Sequence, residues 1–313
     1  MIRILLLLMC ISTSAAAKPE LQQILQQYLA SQNHIGFIGE YAHAQNGDIE
    51  SLRIFRGRDS NQAMATRLVY LTGPKREIIR DSLGEICLVR EQGVTRIGSG
   101  EVPLPFSLPD NIKALNAYYQ MRLAGEDRVA GRAVWKVLIT PKDGFRYGYR
   151  LWLDQQQGVL LGFEKYNDQK ILESMTFSSV TFPKQVNIPL PDGAASHVAQ
   201  SSLVAAESSV KVNGVEWRTR WLPAGFTVKQ PTMTHMELSS DTVKYQVYSD
   251  GLSAISVFVE KLADKKVTGA KQKTDGVMNA FSYAGKGFLV TAIGSVPMQT
   301  VQKVAMATVK EQP

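Results

Sequence analysis

Between residues 20 and 30 the apolar side chains fall at Leu21, Ile24, Leu25, Tyr28 and Leu29. That spacing, i, i+3, i+4, i+7, i+8, puts all five on one stripe of an α-helix and predicts a helix lying flat on a sheet. From residue 36 the period drops from helical to two. Runs over 36–44, 49–57, 66–72, 77–80 and 85–90 read as successive strands. Asn46-Gly47 supplies a hairpin turn, and Gly73-Pro74 punctuates the middle. Residues 101–109 contain three prolines and predict irregular chain, and 111–121 reads as a short helix.

In the next stretch Trp135, Val137 and Ile139 alternate with Lys136 and Leu138. Asp143-Gly144 then turns the chain into 145–153, where Phe145, Tyr147, Tyr149, Leu151 and Leu153 share one face and Arg146, Arg150 and Trp152 the other. Turns at Gln157-Gly158 and Asn167-Asp168 lead into 159–166 and 171–182. Strands this long with turns this short predict an antiparallel meander in a curved sheet, not βαβ units.

Over 183–212 the pattern dissolves. Ile188-Pro-Leu-Pro-Asp-Gly193 cannot continue a sheet, and 196–209 is rich in Ser and Ala, so a domain boundary is expected here. Beyond it come a strand over 215–221, a rigid turn in Trp221-Leu-Pro-Ala-Gly-Phe226, and two Val/Ile/Tyr/Phe-rich runs flanking Ser249-Asp250-Gly251, which read as a hairpin. Strands follow over 276–284 and 287–293. The chain closes on a helix that Ser295 can cap, with Pro297 in its first turn and Val301, Val304, Ala305 and Thr308 along one face. The expected class is α+β: a curved antiparallel sheet with sparse helical cover, then a smaller α+β unit.

Composition adds a destination. Arg3 followed by the apolar run 4–11 and by Ala15-Ala16-Ala17 has the form of an export signal, with cleavage expected after Ala17. The apolar run is too short to span a bilayer. Losing it removes Cys10 and leaves Cys87 as the single cysteine, so no internal disulfide is expected, and Cys87 reads as a small buried hydrophobe in an apolar strand. The formal net charge of +7 falls to +6 without Arg3, a mild excess that suits acidic partners such as anionic lipid or an acidic peptide, with no motif for nucleic acid.

Candidate chemistry is thin. The 4 histidines, His34, His43, His197 and His235, have no metal-ligand spacing, and no HExxH, CxxC, GxSxG or P-loop occurs. An enzyme is not expected, nor a catalytic residue, metal or cofactor. Two physical clusters stand out instead. Arg53, Arg67, Lys75, Arg76 and Arg80, with Arg56 and Arg58 among them, form a basic group that can either meet phosphates or serve as a solvated strand face. Trp135, Val137, Ile139, Tyr147, Tyr149 and Leu151 either line an apolar cavity inside the curved sheet or fill an ordinary core.

From end to end the chain resembles the RseB/MucB family, exported regulators of the sigma-E envelope-stress response. The resemblance lies in Glu50-Ser-Leu-Arg-Ile-Phe-Arg56, Leu71-Thr-Gly-Pro-Lys-Arg-Glu-Ile-Ile79, Asp143-Gly-Phe-Arg-Tyr147, Leu151-Trp-Leu-Asp154, Trp221-Leu-Pro-Ala-Gly-Phe226, Tyr248-Ser-Asp-Gly-Leu252 and Ser256-Val257, in that order. It implies a periplasmic protein with a LolA-like half-open β-barrel plugged by helices over 18–185, a linker over 186–212, and a partner-binding α+β domain over 213–313. It also implies a job: binding the periplasmic region of an anti-sigma factor, shielding it from site-1 proteolysis, and release by lipopolysaccharide or lipoprotein acyl chains. The partner would lie against Trp221, Phe226, Tyr248, Asp250 and Phe258. A periplasmic lipid or lipoprotein carrier is the alternative, and self-association is left open.

Overall fold

A computed structural model of the chain describes residues 19–80, 85–90, 93–99, 106–168, 170–189, 217–229, 234–237, 242–264 and 266–310. The first body opens with helix α1 (Leu21–His34). Strands β1 (Phe37–Gln45), β2 (Asp48–Arg58), β3 (Met64–Tyr70), β4 (Arg76–Arg80), β5 (Glu85–Arg90) and β6 (Gly93–Ser99) follow. A single-turn helix α2 (Ile112–Leu115) leads to β7 (Tyr119–Val129), β8 (Arg132–Pro141), β9 (Gly148–Asp154), β10 (Leu160–Asn167) and β11 (Lys170–Thr181). All eleven strands make one sheet in the order β6-β5-β4-β3-β2-β1-β11-β10-β9-β8-β7. Every pairing in it is antiparallel. The end strands β6 and β7 each have one neighbour, so the barrel is half open. Its concave side is filled by one core in which Ile24, Leu25 and Tyr28 of α1 pack with Leu52, Ile54, Leu68, Val137, Leu151 and Phe163. The helical stripe read from the sequence is the face that α1 buries.

The second body contains β12 (Trp217–Thr219), β13 (Thr227–Val228), β14 (Thr234–Glu237), β15 (Thr242–Ser249), β16 (Ala254–Lys261), β17 (Gly269–Asp275), β18 (Met278–Gly285), β19 (Phe288–Gly294), α3 (Met298–Met306) and β20 (Thr308–Lys310). Its main sheet runs β13-β15-β16-β19-β18-β17, with β14 also on β15, and β12 pairs with β20 apart from it. Val301, Val304 and Ala305 of α3 are fully buried and pack with Ile255, Val257, Val259, Phe281, Val290 and Ala292. The α+β class, a half-open barrel followed by a smaller α+β unit, is as the sequence implied.

Several elements differ from expectation. The helix expected over 111–121 shrinks to α2, and its second half becomes the start of β7, where pairing with β8 offers more buried contact than a free helical turn. Helix α3 begins at Met298 with Pro297 as its N-cap and no side-chain cap. Ser295 is used elsewhere: its hydroxyl accepts from Lys165 Nζ at 3.1 Å. Val186 and Ile188, expected to begin a linker, are buried against Ala65 and Ile79 on the convex side of the sheet. That segment passes so close to β2 that a Cβ at Gly57 would sit 2.0 Å from the Val186 carbonyl oxygen, which only glycine permits. The export signal, the Ser/Ala-rich stretch and the side chains of Cys87 and His235 lie outside the described residues.

Candidate functional site

The two bodies meet around one arginine. Asp143-Gly144 turns the loop between β8 and β9, and the loop directs Arg146 away from its own body. The guanidinium donates to Asp250 Oδ2 at 2.9 Å, to Asp143 at 3.0 Å and to the Ala224 carbonyl at 2.7 Å. The rings of Tyr118, Tyr119 and Phe226 surround it, each centroid 5.3 or 5.4 Å from the guanidinium carbon. Arg146 and Asp250 both have 0% side-chain exposure. Asp250 is saturated: Oδ2 also takes the Tyr119 hydroxyl at 2.9 Å, and Oδ1 takes the backbone N–H groups of Leu252 and Ser253 at 2.9 and 2.8 Å. Burial above all pushes the Tyr119 phenol far above its usual pKa, so it remains a donor. Burial raises Tyr149 as well; its hydroxyl meets Ser253 at 3.1 Å. At the edge of this joint Trp221 packs edge-on to Phe145 at 5.0 Å, and Lys303 lies 4.0 Å over the Trp221 ring. Gly225, at φ +88°, passes flat against Tyr118, where a Cβ would fall 2.3 Å from the ring.

Beside the joint a groove of about 1050 Å³ opens between the bodies, walled by the turn at Gln45 and Asn46, by the Asn167–Ser174 side of the β10–β11 hairpin, and by Asp275, Asn279 and Met298. Asn46 Nδ2 donates to Asp275 Oδ1 at 2.7 Å at one end, and Asn279 Nδ2 donates to the Tyr147 hydroxyl at 2.9 Å at the other. One wall holds a charged chain: His43 Nε2 and Lys165 Nζ each lie 3.0 Å from an oxygen of Glu173, and Lys165 reaches Ser295 of the second body. Burial raises the Glu173 pKa, but the His43 hydrogen bond and the Lys165 charge outweigh it and hold the group below its usual 4.5. A depressed acid pKa stabilises the fold above the unfolded value, and that contribution is lost as pH falls through the folded value. The stability difference between the native chain and Glu173→Gln is therefore expected to be full at neutral pH and to shrink below about pH 4.5, measured as urea midpoints at each pH. A difference that does not change with pH would remove Glu173 from the charge chain.

The residues singled out in the sequence are dispersed. Trp135, Val137, Ile139, Tyr149 and Leu151 are buried in the packed core, where Phe106 covers Tyr149 at 5.2 Å. Tyr147 belongs to the joint. Two spaces of the first body lie against α1: one of about 50 Å³ lined by Tyr28, Phe37, Phe106, Leu160, Met175 and Phe177 with Gln32 and Arg56, and one of about 220 Å³ lined by Leu21, Leu25, Leu29, Ile112 and Met121 with polar residues among them. The basic group is mostly neutralised: on the convex side Arg53 pairs with Glu40 at 2.6 Å and Arg67 with Glu77 at 2.7 Å, and on the concave side Arg76 pairs with Glu50 at 2.9 Å and lies over the Tyr70 ring. Lys75 is exposed on the β3–β4 turn. Of the partner candidates, Phe226, Tyr248 and Asp250 are internal and Trp221 is half-buried in the joint. Phe258 remains, half-buried beside Tyr245 at 5.1 Å on the sheet face away from α3. Arg146 was missed; it sat on the polar face of an alternating strand, and nothing local in the sequence announces a partner 104 residues away.

Residues 20–201 match the MucB/RseB N-terminal domain, and residues 211–309 match the MucB/RseB C-terminal domain. The sigma factor AlgU regulatory protein MucB of Pseudomonas aeruginosa is 30% identical over 276 residues, 87% of this chain and 85% of that protein. The sigma-E factor regulatory protein RseB of Haemophilus influenzae is 26% identical, over 94% of this chain and 92% of that one. Among solved structures, MucB in complex with MucA(peri) superimposes with a TM-score of 0.71 at 26% identity, covering 94% of this chain and all (100%) of that one. A MucB structure described without a partner superimposes with a TM-score of 0.56 at 27% identity, covering 93% and 98%.

Proposed function

The chain belongs to the MucB/RseB family, and on that premise we propose that it binds the periplasmic region of an anti-sigma factor, shields it from site-1 proteolysis, and releases it on a lipid-type envelope signal. The chain would act in the periplasm after cleavage behind Ala17, as a barrel domain over 18–185, a connection over 186–212 and a second domain over 213–313. The observation that carries the reading is the joint. A buried ion pair spanning two bodies makes their orientation a discrete state, and a ligand can act on a distant partner only through such a state. The closer superposition on the complexed relative than on the one described without a partner supports an orientation here suited to partner binding. The groove is the seat it offers, since both bodies wall it and Ile171, 46% exposed, projects into it.

Mixing the full chain with the anti-sigma factor's periplasmic region should give a stable complex and slower site-1 cleavage. Ile171→Glu, which puts a charge on the groove wall, should weaken capture by about tenfold or more, as expected at a buried anchor. Phe258→Ala should leave capture unchanged. The opposite pattern would move the partner to the outer face of the second sheet, and no capture by the native chain would overturn the reading.

A further inference from the structure

Strand β17 buries no side chain: all 7 of its residues, Gly269–Asp275, are exposed. It stands at the edge of the main sheet of the second body, and among the described residues its one neighbour is β18. The register sets which of its backbone groups are free. Asp275 faces Met278 across the turn Gly276-Val277, so Asp275 with Met278, Lys273 with Ala280 and Lys271 with Ser282 exchange the ladder bonds. The N–H and C=O groups of Ala270, Gln272 and Thr274 therefore point away from the sheet. Lys271 and Lys273 share one face of the strand, and among the described residues neither forms an ion pair. At one end Thr274, Asp275 and Gly276 belong to the wall of the groove between the bodies. At the other, Lys286 is exposed in the turn just past Ala284, the partner of Gly269. A free edge of this kind is a template for another strand, and lysines commonly guard such edges. The guard is selective. Against a second β17 it sets lysines against lysines, whereas an acidic strand turns the same charges into attraction.

We propose that β17 is a docking edge for an extended, acidic segment of the partner, which adds to the sheet as one more strand with carboxylates at alternate positions opposite Lys271 and Lys273. This deepens the partner binding proposed above and rests on it: a segment leaving the groove past Thr274 and Asp275 continues along the free edge without a break. Main-chain bonds to Ala270, Gln272 and Thr274 supply affinity whatever the partner's sequence. The two lysines supply the selection, by favouring acidic side chains and repelling basic ones. Because β17 adds nothing to the core, changes to its outward groups leave the fold of the second body standing.

The test is residue-resolved amide hydrogen exchange of the full chain, alone and with the anti-sigma factor's periplasmic region, together with affinities at low and high salt. Alone, the amides of Ala270, Gln272 and Thr274 should exchange freely while those of Lys271 and Lys273 are held by β18; in the complex the first three should slow by about tenfold or more. Lys271→Glu with Lys273→Glu should weaken capture about 3–30-fold at low salt and less at high salt. Lys113→Glu with Lys184→Glu, the same charge change on the first body, should leave capture unaltered. Gln272→Pro removes an outward N–H that β18 does not use, so it should keep the fold and weaken capture about 3–10-fold. Capture with no new protection at Ala270, Gln272 and Thr274 overturns the inference and leaves the partner in the groove alone. New protection with an affinity indifferent to the lysines overturns the acidic match. Protection that appears in the chain alone as its concentration rises assigns the edge to a second copy and overturns the inference too. No capture by the native chain overturns it together with the reading it rests on.

Discussion

Replacing Asp250 with alanine is expected to lower the unfolding free energy by about 3–5 kcal/mol, because it leaves a fully buried guanidinium without its main counter-charge. The loss exceeds one ion pair. Oδ2 also accepts from Tyr119, and Oδ1 closes the β15–β16 turn through the N–H groups of Leu252 and Ser253, so buried donors are orphaned along with Arg146. Asp143 still holds the guanidinium at 3.0 Å and keeps the cost toward the lower end. Because Arg146 and Asp250 belong to different bodies, the same change should loosen their orientation, visible as a broader small-angle scattering distance distribution, and weaken capture of the partner. The double change Arg146→Met with Asp250→Leu removes both charges and fills the space with apolar atoms, so it should recover part of the stability, while the Tyr119 hydroxyl and the N–H groups of Leu252 and Ser253 stay unpaired. Urea unfolding of the three variants decides it. A loss below about 1 kcal/mol for Asp250→Ala, with scattering unchanged, would mean the bodies are held by other contacts.

The same residue shows where sequence reading stops. Asp250-Gly251 was legible as a turn, and β15 and β16 do form a hairpin around it, but over four connecting residues from Asp250 to Ser253. A carboxylate at a turn reads as solvated, and only the placement of Arg146 makes it internal. Helix α1 was legible because one face buries at helical spacing. Strand β17 was not, because all of Gly269–Asp275 is exposed and no alternation marks it. The curved antiparallel sheet followed from turn spacing and its half-open form from the family resemblance, yet which face of it was filled did not. Of the residues read as either cavity lining or ordinary core, Val137 and Leu151 are fully buried. Arg56 was counted with a surface cluster although its parity with Leu52 and Ile54 pointed inward, a signal that strand period alone could have given.

The second large effect is expected at Phe106. Its ring packs tilted against Tyr149 at 5.2 Å and Phe163 at 5.4 Å, and its carbonyl accepts the Tyr28 hydroxyl of α1 at 3.2 Å. Phe106 is thus both core filler and cavity wall. Phe106→Ala should cost about 3–5 kcal/mol, since the ring's contacts are lost and the surrounding strands cannot close on the space. That space is continuous with the cavity beneath α1, so the variant should take an alkyl chain that the native cavity of about 50 Å³ is too small to hold. Saturating dodecanol should therefore return more stability to Phe106→Ala than to the native chain, about 2.7 kcal/mol at a hundredfold excess over its dissociation constant. Thermal unfolding with and without dodecanol measures both halves. A variant that is destabilised but gains nothing from dodecanol would mean the new space collapses, and that the ring supports the core without gating the cavity.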